Sequence, residues 1–138
     1  MWLLLIENLD DGDEDIAFDD IRLTGVPDNV PIVNFSEATS TENETNTAFD
    51  VDIPVLLSNY QGTPVDLSVS VGAGGSAEMT DYVLNTSTLN FTADGSQDIS
   101  LTINEDAGFD DETIELTITE TSSTGAFIGV STHILTII

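Results

Sequence analysis

The stretch FDVDIPVLL, residues 49–57, decides the fold of this chain. Its apolar residues stand at every second position, and Asp50 and Asp52 stand between them. A period of two is typical of a β-strand with one face in the core and the other in water. Pro54 has no N–H to give to a ladder, which predicts an edge position or a bulge at that point.

The same alternation recurs on both sides of this stretch, whereas a helical period is nowhere convincing. Turn-forming residues separate the runs, as in GAGG at 72–75 and ADG at 93–95. Short strands between regular turns predict an all-β fold, an antiparallel sandwich of two sheets with about seven strands. Beside 49–57, the predicted strands are 31–35, 65–71, 89–91, 99–103, 114–118 and 133–138.

The charge balance is extreme for a chain of this size. The 138 residues include 26 Asp and Glu against one basic residue, Arg22, for a formal charge of −25. Such a charge repels nucleic acid phosphates and anionic lipid headgroups, so both partners are excluded, and cations are attracted. The carboxylates either form a solvated surface without specific ligands or cluster around Ca²⁺, which takes several oxygen ligands.

Residues 1–27 differ from the rest of the chain. Two apolar runs, Trp2–Ile6 and Ile16–Leu23, flank the acidic turn Asp10–Asp15. This pattern predicts a β-hairpin, which is barely stable alone and needs a sheet to pair with. We expect residues 1–27 to be an N-terminal strand pair, either the remnant of a preceding β domain or an assembly strand, and residues 28–138 to form the sandwich.

The targeting of the chain is not encoded in its first residues. The apolar start is too short to span a bilayer, lacks a basic region and runs directly into Glu7. An exported protein would therefore carry its signal outside this chain. The absence of cysteine excludes disulfides and thiolate metal sites.

Three motifs follow one another in the order found in a known family. They are VNFSEATSTENETNTAFDVDI at 33–53, GSAEMTDY at 75–82 and LNFTADGSQDISLTINEDAGFDDETIELTI at 89–118. Together they resemble the Calx-beta family and cover about three quarters of the chain. The resemblance implies a seven-stranded Greek-key sandwich of the immunoglobulin and fibronectin III type, with calcium held by carboxylates at one end.

The same resemblance implies which residues hold that calcium. Asn104 stands where the run of aspartates usually begins in the family. The residues at the matching positions, with the immediate neighbours of the last, are Glu42, Asp81, Glu105, Asp106, Asp110, Asp111 and Glu112.

A second, fainter resemblance concerns the N-terminal part. DGDEDIAFDDIRLTG, residues 11–25, is similar to the last strand of jelly-roll modules in bacterial secreted proteins. The resemblance implies that Asp19 or Asp20 could bind a structural calcium.

No constellation of catalytic residues is present in the sequence. The chain has no cysteine or lysine, and its single histidine, His133, lies in a predicted strand, where a structural role is expected. We therefore expect a binding module and not an enzyme.

The sequence favours a calcium-binding structural or adhesion module of an exported cell-surface or secreted protein. Its partners would be neighbouring domains of the same polypeptide, copies of itself, or a surface glycan or protein. Two alternatives stay open: a self-assembling surface filament subunit that uses N-terminal strand pairing, and a carbohydrate-binding module.

Overall fold

The computed structural model describes residues 29–105 and 110–138, and the predicted N-terminal strand pair lies outside them. Within these residues the chain is all β. The strands are β1 (Ile32–Phe35), β2 (Thr39–Glu42), β3 (Phe49–Ser58), β4 (Val65–Val71), β5 (Tyr82–Leu84), β6 (Thr88–Phe91), β7 (Gly95–Ile103), β8 (Glu112–Glu120), β9 (Phe127–Ile128) and β10 (Thr132–Ile137).

Two five-stranded sheets face each other. One has the order β5-β7-β3-β1-β9 and the other the order β2-β10-β8-β4-β6. The predicted sandwich is thereby confirmed. The count of seven strands is wrong, because ten strands occur among the described residues. All seven predicted strands are present; the additions are β2, β5 and β9, which have two to four residues each.

Two of the pairings are parallel, whereas the prediction was an antiparallel sandwich. Strand β1 pairs with β3 in the first sheet. The chain then crosses to the second sheet, where β2 runs parallel to β10. The two-residue β9 also runs parallel to β1. All other pairings are antiparallel.

Strand β3 shows how the alternation positions the core. Val51, Ile53 and Val55 are buried between the sheets, and Asp50 and Asp52 are exposed. The same inward alternation holds along β4, β7, β8 and β10. Burial of one such aliphatic side chain stabilises the fold by about 1.5–3 kcal/mol, so these five strands carry most of the core.

Pro54 lies in a strand that has neighbours on both sides. Its carbonyl accepts from the N–H of Ser36 at 3.0 Å, so the backbone polar groups of residue 54 face the β1 side. The β1 ladder ends one pair earlier, at Phe35 and Val55. The missing N–H of Pro54 therefore falls at a local edge of the sheet, where a proline costs no ladder hydrogen bond.

Candidate functional site

An acidic cleft opens at the end of the sandwich where β7 and β10 end and β8 begins. Its floor is apolar, formed by Ile103, Ile114 and Ile137 at the base of the core. Its polar lining consists of four carboxylates and one amide, which lie at or near the ends of strands of both sheets. These residues are Glu44, Asp81, Asn104, Asp110 and Glu112.

The segment that carries Asp81 is fixed to β8 through its first residues. Ser76 and Thr113 bond reciprocally: the Ser76 hydroxyl accepts from the N–H of Thr113 at 2.9 Å, and the N–H of Ser76 donates to the Thr113 carbonyl at 2.8 Å. The N–H of Ala77 donates to the same carbonyl at 3.0 Å. These bonds hold the segment beside Glu112, the first residue of β8.

Gly75 permits this close approach. A Cβ at position 75 would lie 2.5 Å from the carbonyl oxygen of Thr113, which is a backbone atom that cannot move aside. The glycine of the GSAEMTDY motif is therefore required by contact with β8 and not by an unusual backbone angle.

Asp81 and Asn104 are linked to each other through the backbone. The N–H of Asn104 donates to the carbonyl of Asp81 at 2.7 Å, and its side-chain Nδ2 donates to the carbonyl of Thr80 at 2.8 Å. The carboxylate of Asp81 accepts from the N–H of Glu78 at 2.5 Å and from the Thr80 hydroxyl at 3.2 Å. A carboxylate has about four acceptor positions, so these bonds leave Asp81 able to bind a cation.

The cleft contains some of the residues implied by the family resemblance but not all of them. Asp81, Asp110 and Glu112 line it. Glu105 and Asp111 are exposed and are not among its lining residues. Asp106 lies outside the described residues.

Glu42, which the resemblance also implies, is not among the residues that line the acidic cleft. It is the last residue of β2 and lines a separate groove together with Asp52 and His133. Glu44, two residues further on, lines the acidic cleft instead, and its N–H donates to the carbonyl of Ile138 at 2.8 Å. The second glutamate of the sequence ENE was the only indication of Glu44 in the sequence.

The donors of the cleft suit a hard cation. Carboxylate and amide oxygens are the ligands of Ca²⁺, which takes six to eight oxygens at about 2.3–2.6 Å. Within residues 29–105 and 110–138, however, no three Asp, Glu or His side chains are close enough together to hold a metal as they stand. The donor atoms of the cleft fit calcium in their chemistry.

His133 is buried and hydrogen-bonded at both ring nitrogens. Nδ1 lies 2.7 Å from the carbonyl oxygen of Glu37, and Nε2 lies 2.8 Å from the hydroxyl of Ser40. Because a carbonyl only accepts, Nδ1 donates to Glu37, and Nε2 forms the second hydrogen bond with the Ser40 hydroxyl. The predicted structural role of this histidine is confirmed.

Solved structures share this architecture. The apo-form Calx CBD1 domain superposes with a TM-score of 0.65 at 19% identity, over 79% of this chain and 96% of that one. The chain has the fold of a Calx-beta domain. At this identity the likeness concerns the fold alone, and for the fold it confirms the resemblance inferred from the three motifs.

Two further structures show the same fold within longer chains. The calcium binding domain CBD12 of CALX1.1 has a TM-score of 0.58 at 20% identity, over 77% of this chain and 44% of that one. A proposed carbohydrate-binding protein from Bacteroides ovatus has a TM-score of 0.61 at 13% identity, over 77% of this chain and 36% of that one. No family model and no curated protein sequence matches the chain.

Proposed function

We propose that this chain is a calcium-binding module and that calcium binds in the acidic cleft. The observation that carries the proposal is the convergence of Glu44, Asp81, Asp110 and Glu112, with the Asn104 amide, on one opening at the end of the sandwich. The fold, shared with the calcium binding domain of CALX1.1, supports the same assignment.

Calcium would act on the segments that carry its ligands. Without a cation, the like charges of the cleft repel one another and favour open arrangements of these segments. A divalent ion would neutralise the carboxylates and join the segment before β5 to the start of β8. The function is then mechanical, because an ordered end of the sandwich gives a defined junction to whatever domain adjoins it.

We place this module in an exported surface or secreted protein, with a structural or adhesive role and no catalytic activity. The partners would be neighbouring domains of the same polypeptide or copies of the chain, with residues 1–27 supplying strands for pairing. Within residues 29–105 and 110–138, no helix is long and apolar enough to span a membrane.

A matched pair of glutamates tests the site. Glu44→Gln removes a carboxylate that lines the cleft, whereas Glu42→Gln removes one that lines the other groove, with the same change of charge. We expect titration calorimetry with CaCl₂ to show binding weakened at least about tenfold in Glu44→Gln and changed less than about twofold in Glu42→Gln. Equal weakening in both variants would indicate a general charge effect, and absence of binding in the unmodified chain would refute the proposal.

A further inference from the structure

A third depression lies at the opposite end of the sandwich from the acidic cleft. Its volume is about 200 Å³, less than the roughly 300–1,000 Å³ of pockets that enclose a drug-sized ligand, so only part of a ligand would lie inside it. Three segments surround it: the entry to β1, the β3–β4 loop and the β8–β9 loop. Its lining residues are Asn29, Pro31, Gln61, Thr63, Ser122, Ser123 and Thr124.

The lining carries no charge, although the chain has 26 acidic residues. It offers amides and hydroxyls, which donate and accept hydrogen bonds, around a single proline ring. Among the described residues, the side chains of Thr63 and Ser123 have no hydrogen-bond partner. Their hydroxyls are thus available to a ligand.

The β8–β9 loop is held in place from below by Glu120. The Oε1 atom of this residue accepts from the Ser122 hydroxyl at 3.0 Å, from the N–H of Thr124 at 2.7 Å and also from the Thr124 hydroxyl. The charged group lies under the loop and is not among the residues that line the depression. It therefore fixes the loop, and its charge lies one hydrogen bond away from the lining residues Ser122 and Thr124.

The β3–β4 loop is held from the other side by Asn59. Its Nδ2 donates to the carbonyl of Val30 at 2.8 Å, and its own carbonyl and Oδ1 accept from Nε2 of Gln61 at 2.9 and 3.0 Å. Asn59 and Ser123 both have φ of 60°, and no other described non-glycine residue has a positive φ. This conformation is uncommon for serine, and such residues cluster at binding sites.

The chemistry of the lining decides the class of ligand. A cation would find no carboxylate in the depression, and an anion would find no basic group and a molecule of charge −25. A neutral ligand with many hydroxyls matches a lining of hydroxyls and amides. From this match we infer that the depression binds a neutral saccharide.

The saccharide site is independent of the calcium site. Strand β8 begins at Glu112 in the acidic cleft and ends at Glu120 under the β8–β9 loop, so its nine residues separate the two sites by about 26 Å. A failure of calcium binding therefore leaves this inference standing. A failure of saccharide binding likewise leaves the calcium proposal standing. Saccharide binding is therefore measured both with and without calcium.

The test is a titration of the full-length, isotope-labelled chain followed by amide NMR. The probes are maltohexaose, cellohexaose, mannohexaose, xylohexaose and galactohexaose, each up to about 10 mM, with hexagalacturonate as the charged counterpart. We expect at least one neutral probe to shift the amide signals of residues 61–63 and 122–124, with a Kd on the order of 1 mM, because hydroxyl contacts each contribute little net free energy. Hexagalacturonate should give no shift.

A matched pair of variants tests whether the saccharide binds in the depression. Thr63→Val removes a hydroxyl from the depression, and Ser87→Ala removes one from an exposed loop elsewhere; Thr63 and Ser87 are both exposed, so both variants should fold. Thr63→Val should weaken binding of the neutral probe at least about threefold, and Ser87→Ala should change it less than about 1.5-fold. No shift with any neutral probe, shifts confined to other residues, equal binding of hexagalacturonate, or equal weakening by both variants would each overturn the inference.

Discussion

Gly75 is the residue at which local packing controls the acidic cleft most directly. The segment from Gly75 to Asp81 passes so close to β8 that the backbone carbonyl of Thr113 occupies the space of a Cβ. Gly74 meets only the end of the Glu115 side chain, which can swing away. Two adjacent glycines thus differ in what an added methyl group would displace.

Gly75→Ala should therefore destabilise the fold, while Gly74→Ala should be tolerated. Displacing backbone typically costs about 1–3 kcal/mol, and reorienting the half-buried side chain of Glu115 costs less than about 1 kcal/mol. Urea denaturation of the two variants in calcium-free buffer measures the difference. An equal loss of stability in both would mean that β8 yields as easily as the Glu115 side chain.

Glu120 gives the molecule a pH-dependent contact at the other end. Partial burial raises the pKa of its carboxyl, but hydrogen bonds from the side chains of Thr124 and Ser122 and the backbone of Thr124 and Ala126 outweigh it, so the pKa lies below its ordinary value of 4.5. A lowered pKa means that the ionised form is bound more favourably in the folded chain. This stabilisation is present above pH 4.5 and is lost as the pH falls through the lowered pKa.

Glu120→Gln should accordingly cost stability at pH 6 and progressively less as the pH falls toward 3. Urea denaturation of the variant and the unmodified chain across this range gives the difference in the free energy of unfolding at each pH. Glu37→Gln, at an exposed position, controls for the loss of one charge. A difference that does not change with pH would show that the carboxylate of Glu120 is not what holds the β8–β9 loop.

At this scale the sequence predicts part of the acidic cleft and leaves the rest open. Asp81 was named because of its place in the GSAEMTDY motif, whose Gly75 lies against the backbone of β8. Glu42 and Glu44 could not be told apart, since residues two apart on an extended chain point the same way. Their distance from the end of the sheet decides between them, and that distance follows from the parallel pairing of β2 with β10.

Strand β2 has no apolar pattern and is held to the sandwich by hydrogen bonds. Its sequence, TSTE, has no hydrophobic residue, and it pairs only with β10 at the edge of its sheet. The two hydrogen bonds of His133, to Ser40 in the strand and to Glu37 just before it, join this edge to the core. The sequence predicted a structural histidine in β10 but not the strand that it holds.

His133→Leu should loosen β2 while sparing the rest of the sandwich. Leucine keeps the apolar contact with the core but leaves the Ser40 hydroxyl and the Glu37 carbonyl without their partner, at a cost of about 1–3 kcal/mol. Hydrogen exchange followed by NMR should show faster exchange at Thr39–Glu42, with β3 and β8 unchanged. Uniform acceleration throughout the chain would instead indicate a global loss of core packing.

The seven predicted strands all show apolar alternation, whereas the three missed strands either are too short to show it, as β5 and β9 are, or contain no apolar residue, as in β2. Strands β5 and β9 have three and two residues, too few to show a period. Each exists because it lies beside a longer strand, β7 or β1, that offers a free edge. Pairing of this kind is a property of the assembled sheet and not of the local sequence.

For the whole molecule, the distribution of charge matters more than its sum. Four carboxylates converge at one end of the sandwich, and an uncharged depression lies at the other. Electrostatic repulsion among the carboxylates at the acidic end lowers the stability of the folded chain. Its relief by a specific cation should be visible in the stability of the entire domain.

Calcium should raise the melting temperature of the chain by more than an equal ionic strength of sodium does. Both salts screen the net charge of −25. Only an ion that binds in the cleft of the folded chain adds its binding free energy to the free energy of unfolding. At a calcium concentration of 100 times Kd this term is about 2.7 kcal/mol, which corresponds to a shift of roughly 10 °C for a domain of this size. Magnesium should give a smaller shift, because it demands a tighter octahedral geometry and keeps its water. Calorimetric scans in the three salts decide the matter: equal shifts in calcium and sodium would mean that screening alone stabilises the domain and that the convergent carboxylates hold no specific ion.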